Sequence, residues 1–217
     1  GSRFLFVCSR SGRAAVEPKV TASLKGTDAY ARFETFGGIS SEGEIARMGK
    51  IVEDDSIDVV CGVGGGSAID TAKACAFHCG KPVVIVPTVA ATDAPCTGLS
   101  VIYHDDGTFA EYLFYPKNPD VVIVDSAVIA DSPTSFLVAG MGDALGTYYL
   151  MTGDTNAAVR AFGSAKTNNA ALAQILAKDY SKAKSTLASV TAPDAITYYL
   201  TAILGARTNN DTMVNNN

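Results

Sequence analysis

The chain has 217 residues, of which 47% are hydrophobic and 18% charged, and its formal net charge is -5. This composition can build a buried core and excludes a chain that is disordered throughout. The lysines and arginines form no cluster, which argues against a nucleic-acid partner, because binding to a phosphate backbone needs a basic surface. The apolar runs are no longer than a strand, so we predict no membrane span.

In the first 132 residues, short apolar runs alternate with segments of helical periodicity. We predict helices at 41–52 and 67–79, and strands at 4–7, 32–36, 58–63, 82–86 and 121–125. Segments 100–103 and 111–115 flank Asp105-Asp106-Gly107, which is typical of a hairpin turn. Alternating strands and helices predict an α/β fold: a doubly wound, mostly parallel, Rossmann-like nucleotide-binding domain with a β-hairpin, covering residues 1–132.

Residues 133–217 have a different pattern, rich in alanine and with leucines at helical spacing. We expect part of an all-α domain here, with no strand. The tail from Arg207 to Asn217 holds five asparagines and few apolar residues, so we expect that it does not pack into a core.

Gly64, Gly65 and Gly66 stand between a β-branched strand and a helical segment that begins near Ser67. Glycines let the backbone approach a phosphate closely, and a helix N-terminus directs free N–H groups at an anion. The run is neither a Gly-x-Gly-x-x-Gly motif nor a P-loop, so a tight turn without a ligand is the alternative. Asp70 could hold the glycine loop by accepting its hydrogen bonds; the alternative is an acid that the helix dipole favours near the N-terminus.

Two acidic residues lie in loops rich in small residues. Asp93 is the charged residue of the loop 88–96, which is a candidate binding loop; the alternative is an acid that supports an Asx turn. Asp143 lies between small residues at the predicted opening of a helix, where it is either an N-cap or a metal ligand. The pattern alone does not separate these alternatives.

The five cysteines include no Cys-x-x-Cys pair. Cys75 and Cys79 are one helical turn apart, but no companion ligand completes a metal site, so we interpret them as core residues. Reduced thiols favour a cytoplasmic protein.

Five motifs follow one another in order: Gly64-Gly65-Gly66-Ser67-x-x-Asp70-x-Ala72-Lys73, Pro87-Thr88-x-x-x-Thr92-Asp93-Ala94-Pro95-Cys96, Leu99-Ser100-Val101-Ile102-Tyr103, Asn118-Pro119, and Gly140-x-Gly142-Asp143-Ala144-Leu145. Together they resemble the glycerol dehydrogenases of the iron-type (metal-dependent) alcohol dehydrogenase superfamily. The resemblance covers roughly residues 3–149. We expect the sequence to lack both ends of the family's chain.

The resemblance implies an NAD-dependent oxidoreductase that oxidises glycerol or a similar small vicinal diol. It implies that the metal, zinc or another divalent ion, is bound by Asp143 and two later histidines, and that Asp93 lies beside the substrate hydroxyls. The metal would polarise the hydroxyl that loses hydride. The cofactor residues that it implies are Gly64, Gly65, Gly66, Ser67, Thr88, Thr97, Leu99 and Tyr103.

Three departures limit these expectations. The chain has two histidines, His78 and His104, and neither matches a metal-ligand position, so we expect an incomplete metal site and no turnover of glycerol. Cys8-Ser9, followed by Arg10, stands where the family has Gly-Asp, so the candidate cofactor residue Ser9 leaves NADP possible beside NAD. The alternative function is a degenerate or truncated, non-catalytic nucleotide-binding homologue. Exposed apolar helix faces would favour a homo-oligomer.

Overall fold

The computed structural model describes residues 1–190 and 193–215. They divide into two compact units, Gly1–Leu137 and Val138–Asn217. The elements of the first unit are, in chain order, β1 (Arg3–Cys8), α1 (Arg10–Leu24), β2 (Tyr30–Thr35), α2 (Glu42–Asp54), β3 (Val59–Gly64), α3 (Gly66–His78), β4 (Val83–Pro87), β5 (Leu99–Tyr103), β6 (Phe109–Phe114), β7 (Val121–Val122) and α4 (Ser126–Ala130).

The first unit is built on a parallel sheet with the strand order β2-β1-β3-β4-β7, and β5 and β6 form a separate antiparallel hairpin. The two faces of the sheet are both covered, as the continuous apolar strands require. Leu5 and Val7 pack with α2 and α3, whereas Phe6 and Cys8 pack with α1 on the opposite face. The doubly wound α/β fold predicted from the sequence is therefore confirmed.

Helices α1 and α4, which were not predicted, and the strand β7 differ from the sequence prediction. Helix α1 was not predicted; Ser9 caps it by accepting a hydrogen bond from the Gly12 N–H, and it continues through Pro18. The strand predicted at 121–125 ends after Val122. It is short because Asp125 is the N-cap of α4. Its carboxylate accepts hydrogen bonds from the N–H groups of Ala127 and Val128.

The second unit is helical, as expected. Helix α5 (Thr134–Thr152) crosses the boundary between the units, and it is followed by α6 (Thr155–Phe162), α7 (Asn168–Leu176), α8 (Tyr180–Leu187), α9 (Ala195–Arg207) and α10 (Asp211–Asn215). Residues 138–190 and 193–215 contain no strand. The domain boundary expected after residue 132 stays a prediction.

The expectation that the tail cannot pack is wrong for α10. Met213 lies against the apolar cluster that α7, α8 and α9 share. The reason is Gly205: a Cβ atom there would lie 2.7 Å from the Met213 Cβ, so the missing side chain permits the close approach. Residues 216 and 217 of the tail lie outside the described residues.

None of the described helices combines the length and the apolar character that crossing a bilayer requires.

Candidate cofactor-binding site

The glycine run lies at the carboxyl edge of the parallel sheet, where β3 passes into α3. Gly64 ends the strand with a φ of 151°, Gly65 is the N-cap, and Gly66 is the first helical residue. As a glycine, Gly65 makes no side-chain hydrogen bond to the helix, whereas side chains cap α1, α2 and α4. The first N–H groups of α3 are therefore not satisfied by a cap, and such groups are suited to bind an anion.

The run also lies where the strand order changes direction. The chain continues from β1 to β2 on one side, and β3 lies on the other side of β1. In open α/β sheets, ligands bind in the crevice at such a switch point. Ser9 follows β1 at this point: its N–H donates to the Val63 carbonyl at 2.8 Å, and a Cβ atom at Gly64 would lie 2.8 Å from the Ser9 Oγ.

The loop after β4 lies against the glycine run on its other side. The N–H of Thr88, which is buried, donates to the Gly64 carbonyl at 3.0 Å. Cβ atoms at Gly65 and Gly66 would lie 3.4 Å from methyl groups of Val89 and Thr92. The fold therefore brings together Ser9, the glycine run and the start of the second candidate loop, around a helix N-terminus.

Asp70 and Lys73 form a buried ion pair that joins α3 to the end of this loop. The side chain of Lys73 is 2% exposed, and its Nζ lies 3.1 Å from the Asp70 Oδ1. Burial raises the pKa of Asp70 and lowers the pKa of Lys73. The expectation that Asp70 holds the glycine loop is wrong, because its Oδ2 accepts the Val101 N–H in β5, at 3.2 Å.

The remaining cofactor candidates lie along the same loop and hairpin. The backbone carbonyls of Thr97 and Leu99 accept hydrogen bonds from Lys73, which belongs to α3. Tyr103, at the other end of β5, donates its N–H to the Ser40 carbonyl at 2.9 Å, beside the start of α2. The sequence placed Asp70 and Lys73 in the same helix but predicted neither their ion pair nor the bonds of Lys73 to loop carbonyls.

The two acidic candidates, Asp93 and Asp143, are both exposed, but they lie in different units. Asp93 lies in the loop after β4, and its carbonyl accepts the Cys96 N–H at 2.9 Å, which closes a turn. Asp143 belongs to the second unit and lies well inside α5, which begins at Thr134. The expectation that it opens a helix is wrong, because the apolar and small residues before it continue the helix toward its N-terminus.

The described residues do not fit a metal. Among them, no group of three histidine, cysteine or acidic side chains is placed to hold an ion. The Nδ1 of His104 lies 3.0 Å from a carboxylate oxygen of Glu42, a contact that raises the pKa of the histidine, and His78 ends α3. Of the metal donors that the family resemblance implies, the described residues include Asp143 alone, whereas a catalytic zinc usually takes three protein ligands.

Four of the five cysteines contribute to packing in the first unit, whereas Cys96 is exposed. Cys75 is buried and Cys79 lies against the same apolar cluster, as the sequence interpretation expected. Burial raises the pKa of the Cys8 and Cys61 thiols to about 12, so both stay protonated near neutral pH.

Comparisons with known proteins agree with this geometry. Residues 1–126 match the iron-containing alcohol dehydrogenase family. The chain is 58% identical to the glycerol dehydrogenase of Thermotoga maritima over 116 residues, which are 54% of this chain and 32% of that protein. It is 40% identical to the glycerol dehydrogenase of Escherichia coli over 171 residues, 79% of this chain and 47% of that protein.

A solved structure shows the same fold. The crystal structure of a probable glycerol dehydrogenase from Sinorhizobium meliloti superimposes with a TM-score of 0.61 at 33% identity, covering 95% of this chain and 56% of that one. The chain thus spans about a third to a half of the curated relatives that it matches. The family match covers most of the first unit, including the glycine run and the loop after β4. The chain belongs to the iron-containing alcohol dehydrogenase family.

Proposed function

We propose that the first unit binds a nicotinamide dinucleotide, NAD, with its pyrophosphate at Gly64, Gly65, Gly66 and Ser67. The observation that carries the proposal is the N-terminus of α3, which has glycines in place of a capping side chain and lies at the switch point of the sheet. A pyrophosphate there accepts hydrogen bonds from N–H groups that no capping side chain satisfies.

The remaining cofactor contacts follow the loop and hairpin that border this helix N-terminus. We assign Thr88, Thr97, Leu99 and Tyr103 to the cofactor, as the family resemblance implies. Thr88 is hydrogen-bonded to the glycine run, which supports its place in this set. The exposed Asp93 then faces the substrate hydroxyls as an acceptor.

For the whole protein we propose the oxidation of glycerol or a similar small vicinal diol, with hydride transfer to NAD. The glycerol dehydrogenases among its relatives support this substrate class. The divalent metal that the family implies, with Asp143 as one ligand, finds no complete site in the described residues, so we assign no step to it. The second candidate function, kept from the sequence analysis, is a degenerate or truncated nucleotide-binding homologue without catalysis.

The choice between NAD and NADP rests on Ser9 and Arg10. The Ser9 Oγ is occupied as the N-cap of α1 but can still donate its proton, and Arg10 is exposed beside it. We propose NAD from the family and expect NADPH to bind no more tightly than NADH. Tighter binding of NADPH would instead assign Ser9 and Arg10 to a 2′-phosphate.

The proposal predicts that Gly66→Ala weakens NADH binding without unfolding the protein. The new Cβ has ordinary contact distance to Thr92 (3.4 Å), so the fold accommodates it, but it lies where the pyrophosphate approaches the backbone. We expect the Kd for NADH to rise about tenfold or more, which corresponds to about 1.4 kcal/mol. Fluorescence titration of NADH measures it.

Gly49→Ala is the matched control, because it adds a methyl group in the helix α2 with 3.6 Å to its nearest neighbour, the Cys79 sulfur. It should leave the Kd unchanged. No NADH binding by the wild-type chain would refute the proposal. If the chain binds NADH but does not oxidise glycerol in the presence of NAD and zinc, the non-catalytic candidate is selected for this chain.

We further propose a cytoplasmic homo-oligomer, with α5 in the interface. Leu137, Met141, Leu145 and Tyr148 recur at helical spacing along α5 and are all exposed. Sedimentation velocity should show self-association that weakens in Leu145→Glu. A monodisperse monomer at micromolar concentration would contradict the proposal.

A further inference from the structure

Lys73 makes contacts that its place in a helix does not require. Its ammonium group donates hydrogen bonds to the carbonyl of Ala94 at 3.0 Å, to that of Thr97 at 3.3 Å and to that of Leu99. An ammonium has three N–H donors and no acceptor, so the three carbonyls match its donors, while the Asp70 carboxylate balances its charge. A single side chain of α3 therefore fixes three points of the segment 94–99.

Asp70 completes the attachment from the same face of the helix. Its carboxylate accepts the Val101 N–H, and its backbone carbonyl accepts a hydrogen bond from the Ser100 hydroxyl at 3.2 Å. Ser100 is fully buried and the Asp70 side chain is 12% exposed, so water does not compete freely with these bonds. The pair therefore holds the backbone from residue 94 to residue 101 against α3.

This segment matters because of its neighbours. It begins next to Asp93, and it contains Thr97 and Leu99, which we assign to the cofactor. The same helix α3 carries the glycine run at its N-terminus. One rigid helix thus positions both the pyrophosphate site and the loop that must close around the rest of the ligand.

We propose that Asp70 and Lys73 are positioning residues, which hold the segment 94–101 in the conformation that binds the dinucleotide. The role acts through the loop backbone, and neither side chain needs to touch the ligand. The inference rests on the proposed NADH site and adds to it a pair of residues that set its affinity.

The test uses the full chain with the double substitution Asp70→Asn and Lys73→Met. Removing one partner leaves a buried charge unpaired, whereas replacing both with neutral side chains of similar size avoids that penalty. The asparagine can still accept the Val101 N–H, but methionine cannot bind the three carbonyls. Cys75→Ala is the control, because Cys75 lies on the same helix and packs in the buried core with Leu5 and Met48.

Hydrogen–deuterium exchange and NADH titration are the two readouts. In the double variant we expect amides of residues 94–101 to exchange about tenfold faster, while strand β1 keeps its protection. The Kd for NADH should rise about tenfold, by the cost of ordering a loop that is no longer fixed. Cys75→Ala should lower the melting temperature and change neither readout.

The inference is overturned if exchange at 94–101 is unchanged in the double variant. It is also overturned if exchange accelerates there while the Kd for NADH stays the same. Failure of the proposed function looks different, because the wild-type chain would then not bind NADH at all. If Lys73→Met alone fails to fold, the double variant still decides the question.

Discussion

Replacing Gly64 with alanine is expected to destabilise the first unit by about 3 kcal/mol, which combines backbone strain with overpacking. The φ of 151° at this position lies in a region that residues with a side chain rarely adopt. A Cβ atom there would also lie 2.9 Å from the Ser9 Cβ and 3.1 Å from that of Ala68. Both contacts involve side-chain carbons close to the backbone, so neither neighbour can move away without shifting β1 or α3.

A melting temperature roughly 10 °C below that of the wild type would correspond to this loss. The control is Gly80→Ala, which has a φ of 61° and no heavy atom within 4 Å of its new Cβ. Gly80→Ala introduces backbone strain without a steric contact, so we expect it to lower the free energy of unfolding by about 1 kcal/mol. Equal melting temperatures for the two variants would show that the contact with Ser9 has no energetic consequence.

The inner strands β1, β3 and β4 of the sheet were predictable from the sequence because most of their residues are buried and they therefore form nearly unbroken apolar runs. Residues 59–63 and 82–86 illustrate this, and each pairs in parallel with its neighbour as expected. Helix α1 was missed because it combines Pro18 in its middle with a weak apolar stripe. Its stability comes from packing on the sheet, which local pattern does not reveal.

The candidate site was predictable in part, for a physical reason. The glycine run and the residues near it in space, Ser9 and Thr88, follow strands whose carboxyl ends meet at one edge. Topology thus brings them together once the strands are known. The bonds of Lys73 to residues more than twenty positions away depend on how the hairpin packs against α3, and no spacing rule encodes that.

The second large effect on stability is expected from Gly62→Ala, which changes the distance between β3 and α3. This distance fixes where the glycine run lies. A Cβ atom at Gly62 would be 2.8 Å from the Ala72 Cβ and 3.1 Å from the Ile85 Cδ1. Ile85 can move its terminal methyl, but Ala72 is held by the helix backbone. Gly62→Ala is therefore expected to cost about 2–3 kcal/mol through overpacking.

The matched change is Ala72→Gly, which removes the opposing methyl group and alone costs about 1 kcal/mol in a helix. In the double variant the new methyl at residue 62 occupies the space that Ala72 has left. We therefore expect the double variant to lose at least about 1 kcal/mol less unfolding free energy than the two single variants lose in sum. This difference exceeds the usual error of additivity. Urea unfolding of the four proteins measures it. Costs that add within about 0.5 kcal/mol would mean that β3 and α3 are not held apart by this contact. The spacing of the glycine run would then depend on the loop after β4 and its attachment to Lys73.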